Sequence, residues 1–175
     1  MLGATAGLLA LVGLVANTSF TWILFRRAEA WAGALLASVG LGAGGLFVAQ
    51  SAAGGWANGA LFWGWFPLGI AVSFGWAFME CGRYHRLLRR RLQLGMADPV
   101  VTNRFGLYAA ATGLAVVTNL VGWVFWRRHL EMVTDPVGGP LLLVLGVTSS
   151  TLMMLAFLPP RVYLAWVRAR APEAA

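Results

Sequence analysis

The sequence predicts an all-α, polytopic transmembrane bundle of five spans, and three observations carry that expectation. Only 11% of the 175 residues are charged while 59% are hydrophobic, whereas soluble domains carry about a quarter charged. Five stretches, 2–25, 31–50, 61–79, 105–126 and 141–158, contain no Asp, Glu, Lys or Arg and run 18 to 24 residues each. A hydrocarbon core of ~30 Å is crossed by about 20 helical residues at ~1.5 Å each. The longest connection, 80–104, has 25 residues, fewer than the ~40 at which chains begin to fold unaided. Residues 1–175 are therefore expected to form one transmembrane domain with no soluble domain.

Span one has no charge in front of it and Arg26-Arg27 directly behind it. A secretory signal peptide has the reverse order, so an uncleaved helix with its N-terminus outside is expected. Spans two and three are joined by the small, uncharged segment 51–59, a tight hairpin with Trp56 at interface depth. Span three continues into a basic segment, 83–94, with Tyr84, Leu88 and Leu92 on one helical stripe. Asp98-Pro99 is a helix-start signal, because Asp caps free amides and Pro at the first position loses no hydrogen bond. Span four should begin there. Residues 135–140, Asp-Pro-Val-Gly-Gly-Pro, form a turn whose second Pro is suited to opening span five. Pro159-Pro160 stops that span, and residues 161–170 resume as a short interfacial helix.

Alternating from an outside N-terminus, the inner flanks hold eleven arginines: Arg26, Arg27, Arg83, Arg86, Arg89, Arg90, Arg91, Arg104, Arg161, Arg168 and Arg170. The outer flanks hold two, Arg127 and Arg128. That asymmetry predicts an N-outside, C-inside threading. After Glu29, Glu80, Asp98 and Glu173 are subtracted, the inner side keeps a net +7, while Glu131 and Asp135 cancel the outer charge.

All thirteen basic residues are Arg, so a retinal or pyridoxal Schiff base and a Walker lysine are excluded. Cys81 is the single cysteine, which rules out an internal disulfide and a CxxC site. It reads as a packing residue. His85 and His129 fall on opposite sides of the expected bilayer, about 30 Å apart, too far to share one haem. No cofactor or metal is expected. Glu80, three residues before Arg83, is expected to form a local ion pair.

Three groups of residues are candidates for function. Ala30, Ala34, Ser38 and Gly42 are spaced by four on span two, with Gly33, Ala37 and Gly45 on the adjoining ridge, and Gly69, Ser73 and Ala77 repeat the device on span three. Small residues let backbones approach closely in lipid. The two readings are packing within the chain and docking of another subunit. The basic helix, with Arg83, Arg86, Arg89, Arg90 and Arg91, is expected to fix topology and to attract anionic lipid or a partner. Nucleic acid is not expected, since no reading fold fits in 25 residues. Polar residues within the spans, above all Asn119, Thr148, Ser149 and Thr151, serve either as helix–helix glue or, with Trp123, as a small pocket. Asn17, Thr18, Ser19, Thr118 and Ser150 complete that set. Hydroxyls can bond back to their own helix, whereas Asn119 is expected to find a partner across a helix interface.

The run Arg-Arg-Arg-Leu-Gln-Leu-Gly-Met-Ala-Asp-Pro-Val-Val-Thr-Asn-Arg-Phe at 89–105 resembles a cytoplasmic connection of uncharacterised bacterial polytopic membrane proteins, some of seven-helix, sensor-like architecture. The resemblance implies an N-outside, C-inside bundle and signal reception. It covers about a tenth of the chain. Five spans rather than seven, and no cytoplasmic effector before Ala175, imply that such a sensor would signal through a separate partner.

The function expected is a non-catalytic module of a bacterial inner membrane, either an accessory subunit of a membrane complex or a sensor acting through a partner. Its expected partners are anionic membrane lipids and other membrane subunits or further copies of itself. The arginine-only bias and Ala/Gly richness associate with a high-GC bacterium. A second class is an oligomeric transporter or channel for a small neutral solute, lined by the span-five hydroxyls and Asn119. An enzyme ranks below both, because no Ser/His/Asp or two-carboxylate constellation falls on one side of the bundle.

Overall fold

The computed structural model describes residues 2–53, 56, 60–128 and 134–169. The described residues form six helices: α1 Leu2–Phe25, α2 Ala30–Ala52, α3 Ala60–Gln93, α4 Pro99–Arg127, α5 Gly138–Phe157 and α6 Arg161–Ala169. Helices α1 to α5 are each long and apolar enough to cross a membrane, so the chain is a multi-pass integral membrane protein. In hydrocarbon every backbone N–H and C=O must be satisfied within the chain, and a helix does this segment by segment.

Helix α3 has 34 residues, roughly 51 Å of helix, well beyond a hydrocarbon core of ~30 Å. Its last four turns project past the apolar region as the basic extension expected from the sequence. Pro67 lies inside it and removes one amide donor near the start, which membrane helices tolerate. The far end stops on a Schellman arrangement. Gly95 takes φ 68°, its N–H donates to Leu92 O at 3.0 Å, and Met96 N–H donates to Arg91 O at 2.9 Å. A left-handed residue there favours glycine.

Helix α4 starts at Pro99 as expected. Asp98 is extended (φ −74°, ψ 126°) and its Oδ1 accepts from Val100 N at 2.6 Å and Val101 N at 3.1 Å, a cap worth about 1 kcal/mol. Helix α5 opens at Gly138, two residues before the expected Pro140. Asp135 Oδ1 accepts from Val137 N at 2.9 Å and Gly138 N at 2.7 Å, which draws the start forward, and Pro140 falls in the first turn where its missing donor costs nothing.

Helices α3 and α4 form the central, most extensive pair. Helix α1 packs on α2 and α3, α2 on α1 and α3, whereas α5 and α6 pack on α4. One buried cluster joins Ala77, Cys81, Tyr108, Ala109 and Ala156 across α3, α4 and α5; a second joins Leu11, Ala43 and Phe62 across α1, α2 and α3. Trp56 folds back onto α1, where a Cβ on Gly7 would lie 2.2 Å from its ring. It also meets Phe47 at 5.4 Å and Phe62 at 5.5 Å between centroids. Gln50, 1% exposed, secures the same hairpin by accepting from Phe62 N at 2.9 Å.

Candidate functional site

The ends of α1 and α3 and the starts of α4 and α6 meet at one end of the bundle. Phe25 lies 5.8 Å from Tyr84 and 5.9 Å from Phe105, Tyr84 and Phe105 are 4.7 Å apart, and Asn103 Nδ2 donates to Tyr163 OH at 2.7 Å. Ten arginines of the described residues flank these ends: Arg26, Arg27, Arg83, Arg86, Arg89, Arg90, Arg91, Arg104, Arg161 and Arg168. Folding therefore gathers into one surface the charges that the sequence distributes over several connections.

At the centre of this end, Arg26 joins two carboxylates. Its Nε donates to Glu80 Oε1 at 2.8 Å and its Nη2 to Glu80 Oε2 at 3.3 Å, while Nη1 donates to Glu29 Oε1 at 2.5 Å. Glu80 is 9% exposed, and a carboxylate that deep requires a charged partner. The expected local pair with Arg83 is a minor one, at 4.0 Å. The dominant partner comes from 54 residues away because α1 ends directly beside α3. Hydrogen bonds from Arg26 and from the Trp31 indole hold the Glu29 carboxyl below the usual carboxylate range, and the two carboxylates hold the Arg26 guanidinium above its ordinary value. This ion cluster fixes the α1–α2 corner to α3.

Arg83, Arg86, Arg89, Arg90 and Arg91 all lie exposed on the α3 extension. What holds the extension is its opposite side. Leu88 is 7% exposed, and His85 Nδ1 bonds Thr102 O at 2.8 Å. A carbonyl only accepts, so that ring nitrogen carries the proton. A Cβ on Gly106 would lie 2.8 Å from the His85 ring, so glycine at 106 admits the imidazole. His85 is thus a strut between the start of α4 and the extension. His129 lies outside the described residues. Among the described residues no group of three or more His, Cys, Asp or Glu could hold a metal ion.

A second polar group lies deep within the spans. Ser73 on α3, fully buried, accepts from Asn17 Nδ2 at 3.0 Å and from Thr18 Oγ1 at 2.7 Å, and donates to Leu14 O at 3.1 Å. Tyr108 OH on α4 donates to Asn17 Oδ1 at 2.6 Å. Three helices are joined by one connected seam. Gly69, one turn before Ser73, brings α3 close enough that a Cβ there would lie 2.9 Å from Leu14. Gly69 and Ser73 thus pack within the chain, while Tyr108 and Gln50 are buried polar residues that sequence reasoning missed. Composition flagged neither, because Tyr reads as an interfacial aromatic and Gln50 sits at a span end.

The remaining candidates face elsewhere. Ala34, Ser38 and Gly42 are exposed on α2, and nothing lies within 4 Å of a Cβ built on Gly40, Gly42, Gly44 or Gly45. Ser38 and Gly42 line an apolar groove of about 500 Å³ between α2 and α3, whose other wall includes Trp65, Leu68 and Gly69. The span-five and span-four group does not converge. Asn119 Nδ2 donates to Ala115 O at 2.8 Å within its own helix rather than across an interface. Ser149 crosses to α4, donating to Ala111 O at 3.0 Å, whereas Thr151 bonds back to Val147 O at 2.8 Å. Thr148 and Thr151 are exposed, and Trp123 is 39% exposed beneath Arg127, whose guanidinium lies 5.9 Å from its ring. The carbonyl one turn back lies within reach of the Asn119 amide, so its donor is satisfied inside α4.

No family model, curated protein or solved structure matches the chain.

Proposed function

We propose that the protein is a non-catalytic accessory module of a bacterial inner membrane that works by binding a partner's transmembrane helix, with its arginine-rich end on the cytoplasmic, anionic face. The observation that supports this reading is the small-residue face of α2. Ala34, Ser38 and Gly42 are the residue types that let helices approach closely in lipid, yet all three are exposed within the chain, and Ser38 and Gly42 border an open apolar groove. Helix α2 packs on α1 and α3, and its Gly40, Gly42, Gly44 and Gly45 positions meet nothing within 4 Å of a Cβ built on them. The concentration of arginines at one end supports the orientation, because positive flanks are retained on the cytoplasmic side. The same end supports attraction to anionic headgroups, worth roughly 1 kcal/mol per arginine near the surface.

The transport reading draws less support, since Asn119 and Thr151 donate to carbonyls of their own helices and Ser149 donates to Ala111 O.

Replacing Gly42 by Leu tests the proposal. With nothing within 4 Å of a Cβ there, the variant should keep the wild-type melting temperature while losing association with its membrane partner in mild-detergent purification. Wild-type association would defeat the reading. If instead Thr148→Val with Ser149→Ala abolishes solute flux in proteoliposomes while Gly42→Leu changes nothing, the transporter takes its place.

A further inference from the structure

Beside the ion cluster, the arginine-rich end carries a feature that neither topology nor helix docking requires. A groove of about 240 Å³ runs between α1, α4 and the end of α5, lined by Phe20, Leu24, Val101, Arg104, Phe105, Tyr108, Ala156 and Phe157. Its walls are apolar, and the one hydroxyl among them, that of Tyr108, is turned away to Asn17 at 2.6 Å. Arg104 is the only charged lining residue. It is exposed and makes no hydrogen bond or ion pair to any described residue. On the other side of Leu24 lies a polar cleft lined by Phe25, Arg26, Glu80, Arg83, Tyr84 and Leu87. Arg83 is 65% exposed there and only loosely paired, at 4.0 Å from Glu80. Arg83 and Arg104 each immediately precede a member of the Tyr84–Phe105 ring pair, which places the two guanidinium-bearing residues at the same height on the bundle.

We propose that this is a binding site for one anionic glycerophospholipid, with its phosphate held by Arg104 and Arg83 and one acyl chain lying along Phe20, Leu24 and Phe157. Charge and shape select this occupant. Two arginines without a strong carboxylate partner match a phosphate diester, and guanidinium groups bind such oxygens in a planar fork. A strip of purely apolar wall leading from them toward the middle of the bundle matches a hydrocarbon tail. A space of this size is too small for a partner helix, which is ~10 Å across with its side chains. Arg26 is not part of the phosphate site, because two carboxylates already occupy its guanidinium. The inference rests on the reading that this end faces an anionic leaflet, and it adds a discrete site to what would otherwise be diffuse attraction by the α3 extension.

Native mass spectrometry of the full chain, released from mixed micelles containing phosphatidylglycerol or phosphatidylcholine, provides the test. Wild-type protein should retain one phosphatidylglycerol in preference to phosphatidylcholine. Arg104→Gln should lower that retention about fivefold, the equivalent of one surface arginine contact, and Arg104→Lys should restore part of it. Leu24→Trp, which keeps the wall apolar but fills the groove, should lower it without touching any charge. The triple change Arg89→Gln, Arg90→Gln, Arg91→Gln should leave the single bound lipid in place while weakening binding to anionic vesicles. Loss in the triple variant with none in Arg104→Gln would overturn the discrete site and leave the general attraction standing. Loss in Arg104→Gln with none in Leu24→Trp would also overturn it, since the acyl groove would then play no part. No preference for phosphatidylglycerol in wild type would overturn the site, while the orientation, which micelles do not probe, is tested separately by a reporter fused after Arg168.

Discussion

The α1–α3–α4 core and the flanking faces of α2 and α5 use similar residues to opposite ends. In the core, Asn17, Thr18, Ser73 and Tyr108 exchange hydrogen bonds across three helices, and Arg26 closes on Glu80 and Glu29 at one end. On the flanks, Ser38 bonds back to Ala34 O at 2.8 Å and Thr151 to Val147 O at 2.8 Å, so each hydroxyl is satisfied inside its own helix. A hydroxyl that has paid its hydrogen bond locally specifies no neighbour. Small and weakly polar residues thus define tertiary structure in one region and leave a free surface in the other. The difference lies in whether a polar group reaches a partner on a neighbouring helix, as Asn17, Tyr108 and Arg26 do, or the carbonyl one turn back, as Ser38, Thr151 and Asn119 do.

Breaking the core should cost most at the ion cluster. Arg26→Gln leaves the Glu80 carboxylate with only Arg83 at 4.0 Å, and loss of one partner of a largely buried pair costs roughly 3 kcal/mol. Thermal unfolding in detergent should show that drop, and adding Glu80→Gln should recover part of it. Recovery by the double variant is the decisive signature, since a packing defect alone would only deepen. Next in size is Gly7→Ala. Its Cβ would lie 2.2 Å from the Trp56 ring, and overpacking of that kind costs about 1–3 kcal/mol. An unchanged melting temperature would mean that Trp56 leaves α1 without penalty. Ser73→Ala should cost about 1 kcal/mol, because it removes the acceptor shared by Asn17 Nδ2 and Thr18, of which Thr18 alone has another, Leu14 O. The matching change on the flank, Ser38→Ala, should cost nothing measurable, and equal losses at the two serines would erase the distinction between the regions.

The smallest effect concerns pH. Glu29 is held below its ordinary value of 4.5, first by Arg26 and then by Trp31. A depressed carboxyl contributes stability above its unfolded value and loses it as the pH falls through the lowered one. Wild type should therefore exceed Glu29→Gln in melting temperature by a constant small margin from about pH 8 to about pH 5, with the margin closing on further acidification. A margin that widened in acid would contradict the sign of the shift.

Much of the fold was legible in the residues themselves. Asp98-Pro99 announces the start of α4 because capping is a local matter, settled by a side chain and two amides. The basic extension of α3 reads from its stripe of Leu88 and Leu92 between arginines. Less was legible at the candidate site. The small-residue spacing on α2 and on α3 looks the same in the sequence, yet Gly69 meets Leu14 while Gly42 meets open space. Glu80 lies three residues from Arg83, and local spacing points to the weaker of its two arginine partners.

Hydrophobic length alone determined that five helices are long and apolar enough to cross a membrane, because apolar residues without charge and backbone groups without water leave few alternatives. Only the tertiary structure decided which face of each helix is inside. In a soluble protein, polarity marks the outer face of every helix, but here lipid and core are equally apolar and the spans are hydrophobic all round. Asn17 with Ser73 and Tyr108, Arg26 with Glu80, and Trp56 with Gly7 are contacts between residues far apart in sequence. Each depends on how neighbouring helices are rotated about their axes, which no periodicity in a uniformly apolar segment records.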